Sequence, residues 1–412
     1  MLKPSGRDGP AAAKGGDADV MIGGTRIAYR TLALTDGRHS GTSAASGSVA
    51  LVSPRGVREY ADPYARAAVR RRFAHATWTS SATAPGFAFD ELVPTWHAQT
   101  PDSSWVEVAA RVRSATTTRW SRWLVLARWA DHDTDLHPAS VPVKPNELTS
   151  VAADTVRVAG GADAWQLRVT LLRPEADARD GPLLTYAGAM VSTTPRPRQR
   201  SVASPPGSGA GRVLDVPALS QRVHAGNCPQ WGGGGEVWCS PTSIAMVLAY
   251  WGTGPDAEAI SWVDPGYPDP SVYHAVRHCW DHAYGGAGNW SFNAAYAARF
   301  GLRTFVTRLR DLAEAETFIA AGIPLVASLT VDPARLAGAE YDSNGHLVVV
   351  AGFTAGGDVV VNDPAAQDLA TLRRVYRRAE FERAWIRGSG GLVYVIHPPA
   401  VALPARPSEP NW

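Results

Sequence analysis

Cys239 lies in "GGGGEVWCSPTSIAMVLAYWG", where a glycine-rich run gives way to a helical pattern. Pro241 falls in the first turn, where its missing N–H costs nothing and its fixed φ suits a helix. Ile244, Val247, Leu248 and Trp251 recur at helical spacing, and Gly252 is a natural C-terminal cap. The spacing predicts a helix with Cys239 at its N-terminus. Free backbone N–H groups and the positive end of the helix dipole favour a thiolate there and lower its pKa. The glycines before it let another backbone approach closely. The competing reading is a small buried residue at a helix start, since free cysteine is among the most buried residue types.

A thiolate nucleophile needs a base and a group to orient that base. "NGHLVVVAGFTAGGDVVVNDPAA" offers both. His346 opens one strand-like run, "AGGD" turns the chain, and Asp363 closes the next run. The start of a hairpin's first strand and the end of its second lie together, so imidazole and carboxylate are expected at one sheet edge. A rival set is "SVYHAVRHCWDHAYGG", with His274, His278 and His282 at i, i+4 and i+8, expected on one helical face beside Cys279 and Asp281. Imidazoles at such spacing can hold zinc, which would make a metal-dependent hydrolase. All three cannot reach one ion, because i to i+8 spans ~12 Å. A polar or half-buried helix face is the plainer reading.

The elements that must position these residues divide along the chain. At 412 residues the length exceeds the usual size of one core, so two domains are expected. Residues 1–19 carry no periodicity and read as disordered. Residues 20–192 read as all-β. Val106, Val108, Ala110 and Val112 alternate with Glu107, Ala109, Arg111 and Arg113; Trp123, Val125, Ala127 and Trp129 repeat the pattern, as do Trp165, Leu167, Val169 and Leu171. Only "PYARAAVRRRFA" hints at a helix. Such antiparallel strands must bury one face, so a β-sandwich or jelly roll is expected. Residues 193–211, rich in proline, glycine, serine and arginine, read as a linker. Residues 212–400 read as α+β, with helices first and then strands in "PLVASLT", "HLVVVAGF", "DVVVNDP" and "GLVYVIHP"; residues 401–412 form a tail.

Composition excludes several partners. A net charge of +2 with scattered arginines argues against nucleic acid or an acidic membrane. No apolar run approaches the ~18 residues needed to cross a bilayer. The polar N-terminus shows no signal peptide, which points to a cytoplasmic protein as written and a secreted one only if the N-terminus is incomplete. Three cysteines are too few for a disulfide scaffold, although Cys228 and Cys279 are candidates to pair. Trp96, Trp105, Trp120, Trp123, Trp129 and Trp165 are candidates for a carbohydrate-stacking face, with burial in the core as the commoner alternative.

The order "SQ … WCSPTSIAMVLAYWG … GHLVVVAGF … VVVNDPA" resembles the papain-like cysteine peptidases of the bacteriocin-processing, double-glycine-leader family. It is closest in kind to the stand-alone domains common in actinomycetes. The resemblance covers residues 212–398 and implies an α+β papain-like fold. It also implies Cys239 as nucleophile, His346 as base, Asp363 as its orienter and Gln221, in "LDVPALSQ", as oxyanion donor. This chain departs from the family pattern in three ways. Cys239-Ser240-Pro241 stands where the family has Cys-Gly-Pro. "RVHAGNCPQWGGGG" lengthens the interval from Gln221 to Cys239 and leaves Gln230 as a competing donor. No transporter segment is present, so leader cleavage coupled to export is not implied. The expected function is hydrolysis of peptide or other amide bonds in a peptide or protein substrate, with no cofactor or metal. A catalytically silent papain-like binding module is the alternative.

Overall fold

The structure, a computed structural model, describes residues 25–67, 69–177, 181–194 and 203–412. The expectation of disorder over 1–19 lies outside these residues, as does much of the expected linker.

The N-terminal half is β-rich. Its strands are β1 (Ile27–Thr31), β2 (Arg38–Ser40), β3 (Thr42–Ala45), β4 (Ser48–Leu51), β5 (Gly56–Ala61), β6 (Arg70–Thr79) and β7 (Phe89–Gln99). They continue with β8 (Trp105–Ser114), β9 (Leu124–Trp129), β10 (Ala139–Ser140), β11 (Thr149–Ala152), β12 (Thr155–Pro174) and β13 (Leu183–Ser192). The segment that hinted at a helix enters β6 instead. All pairings are antiparallel, in the order β10-β9-β8-β12-β7-β13-β4-β3, with β6 also on β12. β12 is the branch point. Its start pairs with β11 and β7; from Ala162 onward it pairs with β8, and from Arg168 also with β6. Gly160 and Gly161, both with positive φ, sit at that change of partner, where a side chain would strain the backbone.

The alternation expected in β8 and β12 places Val106, Val108, Ala110, Val112, Trp165, Leu167, Val169 and Leu171 in the core. In β9 the expected face is wrong at its first half. Val108 pairs with Ala127 but Ala109 with Val125, so Leu126 is an extra residue in the ladder. That bulge puts Leu124 and Leu126 inside together with Ala127 and Trp129, while Trp123 and Val125 are only half-buried. Trp96, Trp105, Trp129 and Trp165 are buried core residues and form no stacking platform. Trp120 and Trp123 remain half-buried, with the Arg111 guanidinium over both rings and Arg168 over Trp123.

The C-terminal half carries α1 (Cys239–Tyr250), α2 (Pro270–Cys279), α3 (Trp290–Ala298), β14 (Arg303–Arg308), α4 (Leu312–Ala320) and β15 (Leu325–Val331). β16 (Ser343–Phe353), β17 (Val359–Asn362), β18 (Arg373–Tyr376), α5 (Arg378–Ser389) and β19 (Leu392–His397) follow. The strands form an antiparallel sheet in the order β14-β19-β15-β16-β17-β18. β14, β18 and α5 were not evident in the sequence. α1 is buried on every side from Ser240 to Leu248, so it is the central helix rather than an amphipathic one.

The two halves interlock. Ile27, Tyr29, Val93, Tyr186 and Met190 point from β1, β7 and β13 into the C-terminal core, while Phe292 and Ala295 of α3 join the core around Trp96. The end of the expected linker is packed, with Glu316 accepting the Gly207 and Gly209 N–H groups and Glu382 accepting that of Ser204. The C-terminal tail is also fixed. Asn411 and Trp412 are buried, and Tyr29 N–H donates to the Pro410 carbonyl. Among the described residues no helix is long and apolar enough to cross a membrane.

Candidate active site

Cys239 is the first residue of α1 and only partly buried, which places its thiol at a helix N-terminus. Ser243 Oγ donates to the Leu347 carbonyl at 3.2 Å, which fastens α1 to the start of β16. That contact brings the start of β16 to α1, and His346 is near enough to the Cys239 thiol to lower its pKa. On its other side, His346 Nε2 lies 2.8 Å from Asp363 Oδ1, leaving Nδ1 as the ring nitrogen for the thiol. Asp363 directly follows β17, paired antiparallel to β16, so the hairpin brings together residues 17 apart in sequence.

Asp363 is held from several directions. Oδ1 also accepts the Ala365 N–H at 2.9 Å, and Oδ2 accepts the Tyr341 hydroxyl at 2.8 Å and the Tyr376 hydroxyl at 3.4 Å. The Tyr341 ring meets the His346 imidazole edge-on at 5.0 Å. Burial raises the Asp363 carboxyl, but the neighbouring His346 charge and these donors bring it down to about 2. Burial alone would neutralise His346; the Asp363 carboxylate and Cys239 outweigh it and raise the imidazole to about 10. Burial pushes the Cys239 thiol up, while His346 and the N–H groups of Leu347 and Ser240 bring it below its usual range. Both shifts run in the direction of a thiolate beside an imidazolium.

Gln221 is buried between two parts of this site. Its backbone N–H donates to the Pro364 carbonyl at 2.9 Å, and its side-chain Nε2 donates to the Gly235 carbonyl at 2.6 Å. Asn362 anchors the approach to Gln221 by donating to the Val216 and Pro217 carbonyls. Gln230, the competing donor, is exposed. The loop Gly232–Gly235 runs through four left-handed residues, and a Cβ on Gly234 would come within 2.1 Å of the His224 carbonyl oxygen. Glycine is therefore a steric requirement where the chain enters α1.

The peptidase C39 N-terminal domain model matches residues 26–192, and the peptidase C39 like family model matches residues 213–392. The chain belongs to the peptidase C39 family, of the actinobacterial type. No curated protein matches this C39 chain. Among solved structures it is similar to a family two carbohydrate esterase from Cellvibrio japonicus at 8% identity and a TM-score of 0.17, covering 46% of this chain. The C39 chain spans 42% of that esterase, and a likeness so slight carries no argument.

The remaining candidates lie elsewhere. α2 ends at Cys279 and Trp280 is extended, so His282 is off the helix and not on the expected face. His282 Nδ1 faces the Pro138 carbonyl at 3.1 Å, His274 Nδ1 bonds to the Tyr296 hydroxyl at 2.9 Å, and His278 stacks on the Tyr296 ring. Burial lowers the His274 imidazole to about 3. Among the described residues no group of three or more His, Cys, Asp or Glu could hold a metal ion. Cys228 and Cys279 are both free thiols. Sequence reasoning missed Tyr341 and Tyr376, which have no spacing relation to His346 or Asp363 that a motif would register. It also left Ser240 unexplained. Ser240 Oγ donates to Asn293 Oδ1 at 2.8 Å and lies 3.1 Å from the Tyr394 hydroxyl, so the C39 glycine position here carries a bonded side chain.

Proposed function

We propose that the protein is a cysteine peptidase-like hydrolase of papain-like fold, acting on peptide or other amide bonds through Cys239, His346 and Asp363. The observation that carries this reading is the imidazole of His346 between a helix-terminal sulfur and a buried carboxylate. The thiolate attacks the acyl carbon, and the carbonyl oxygen becomes an oxyanion. Gln221 has one amide proton on Gly235 and a second free to donate; that proton and the Cys239 N–H are the proposed oxyanion donors, each worth ~3–4 kcal/mol in such sites. His346 then gives its proton to the leaving amine and draws one from water, whose oxygen releases the acyl group from sulfur. Asp363 keeps the ring oriented and stabilises its positive charge throughout. Any carbohydrate contact by the N-terminal half rests on Trp120 and Trp123, whose rings lie under arginines.

Whole-proteome cleavage profiling of the wild type against Cys239→Ser tests this reading. New peptide ends that appear with wild type and vanish in the variant are the expected outcome. Identical ends from both proteins, or none from either together with an ordinary alkylation rate at Cys239, would leave a silent binding module instead.

A further inference from the structure

One route from the N-terminal half toward Cys239 runs through a buried carboxylate. Asp154 lies in the turn between β11 and β12, is buried, and belongs to a β-rich half that carries none of the proposed catalytic residues. Its Oδ2 accepts the N–H of Trp290 at 2.6 Å and of Ser291 at 3.2 Å, the first two N–H groups of α3. Asn289 caps the third, accepting Phe292 N–H at 3.1 Å. Orphan donors at this helix end are therefore shared between the two halves of the molecule. Ser291 Oγ donates to the Pro94 carbonyl of β7 at 2.7 Å, and Phe292 meets Trp96 edge-on, so the same helix end is packed on the sheet as well.

The next residue of α3 faces the other way. Asn293 Nδ2 is locked onto the carbonyls of Ala287 and Asn289, both at 2.7 Å, so its Oδ1 accepts the hydroxyl of Ser240. With that proton committed, Tyr394 must donate to Ser240 Oγ. Ser240 directly follows Cys239 in the first turn of α1, so what holds Ser240 also holds the backbone next to the sulfur. Hydrogen bonds thus lead from the turn of the β-rich half through α3 to the residue that follows Cys239.

We propose that Asp154 is a positioning residue of the thiol site: by fixing the N-terminus of α3 it holds Asn293 and Ser240, and so the first turn of α1 that carries the Cys239 sulfur. The N-terminal half is thus a structural part of the active centre rather than a module appended to it. This rests on Cys239 as the reactive thiol, which the experiment examines separately.

The test is the pH dependence of iodoacetamide alkylation of Cys239 in the full chain, with Cys228 and Cys279 replaced by serine and alanine. It needs no substrate. Asp154→Ala and Ser240→Ala are each expected to raise the apparent thiol pKa and slow alkylation at pH 6 about three- to tenfold, as for loss of one hydrogen bond to a thiolate. The double variant should be no slower than the worse single one, because both cut one series. Asp154→Asn, which keeps an acceptor oxygen, should restore most of the rate. A merely structural role would lower the melting temperature without moving the thiol pKa of the folded protein. A folded Asp154→Ala with the wild-type profile, or effects that add in the double variant, would overturn the proposal. If Asp154→Ala lacks a cooperative melt, Asn293→Ala takes its place, because it cuts the same series between α3 and Ser240, and an unchanged profile there overturns it equally. An ordinary thiol pKa near ~8.5 in the unmutated background would instead remove Cys239 as the nucleophile.

Discussion

A buried imidazole ordinarily loses its proton, because burial penalises the cation. His346 keeps its proton because the Asp363 carboxylate is 2.8 Å away and is itself held anionic by Tyr341, Tyr376 and the Ala365 N–H. The pH behaviour follows from the two directions of shift. The thiolate–imidazolium pair forms as pH rises through the lowered Cys239 value and is lost as pH rises through the raised His346 value of about 10. The pH profile of kcat/KM should therefore rise through the lowered Cys239 value and fall on the alkaline side at about 10. Asp363→Asn removes the charge that raises His346, so its alkaline limb should move to lower pH along with a loss of rate. An alkaline limb indifferent to Asp363→Asn would show that the carboxylate does not govern the base. The His346–Asp363 juxtaposition was legible because strand periodicity and one turn sufficed to place both residues. Tyr341 was not, since it reaches Asp363 from a loop whose path depends on the whole sheet.

Single elements show the same division. β8 and β12 were readable because each keeps a strict two-residue alternation, whereas the extra Leu126 in β9 follows from pairing with β8 and leaves no local mark. α1 was placed by Pro241 and its apolar spacing, yet its burial on every side comes from α2, α3 and β16 packing around it. The run Gly232–Gly235 was legible as a close approach of backbone but not as a fixed shape. Its left-handed path supports a comparison within the run. Gly233 and Gly234 have similar positive φ, 76° and 64°, but a Cβ on Gly233 meets nothing within 4 Å, whereas one on Gly234 would sit 2.1 Å from the His224 carbonyl. Gly233→Ala should cost only the backbone strain, about 1 kcal/mol, with little change in Cys239 alkylation. Gly234→Ala must move the loop that carries Gly235, the partner of Gln221, and should lower both melting temperature and activity. Equal effects from the two variants would mean that strain alone, and not contact with His224, shapes the entrance to α1.

At the scale of the whole molecule, one sheet is covered on both sides. Residues of β7 alternate between the two cores: Leu92, Trp96 and Ala98 face the N-terminal one, while Val93 joins the C-terminal one and Thr95 and His97 bond to β14. Arg308 of β14 pairs with Glu91 of β7 at 2.6 Å, and both side chains are largely buried. Arg277 of α2 adds a bidentate bond to Asp133. A boundary so apolar at its centre, with its charges paired, should not open before either half unfolds. Scanning calorimetry of the wild type should therefore give a single endotherm with matching calorimetric and van't Hoff enthalpies. Among the described residues Arg308→Met leaves Glu91 with the longer contact to Arg157, at 3.5 Å, and should lower stability by about 3–5 kcal/mol while the transition stays single. Two resolved endotherms in the wild type would mean that the halves are independent units, and the alternation along β7 would then be packing without cooperativity.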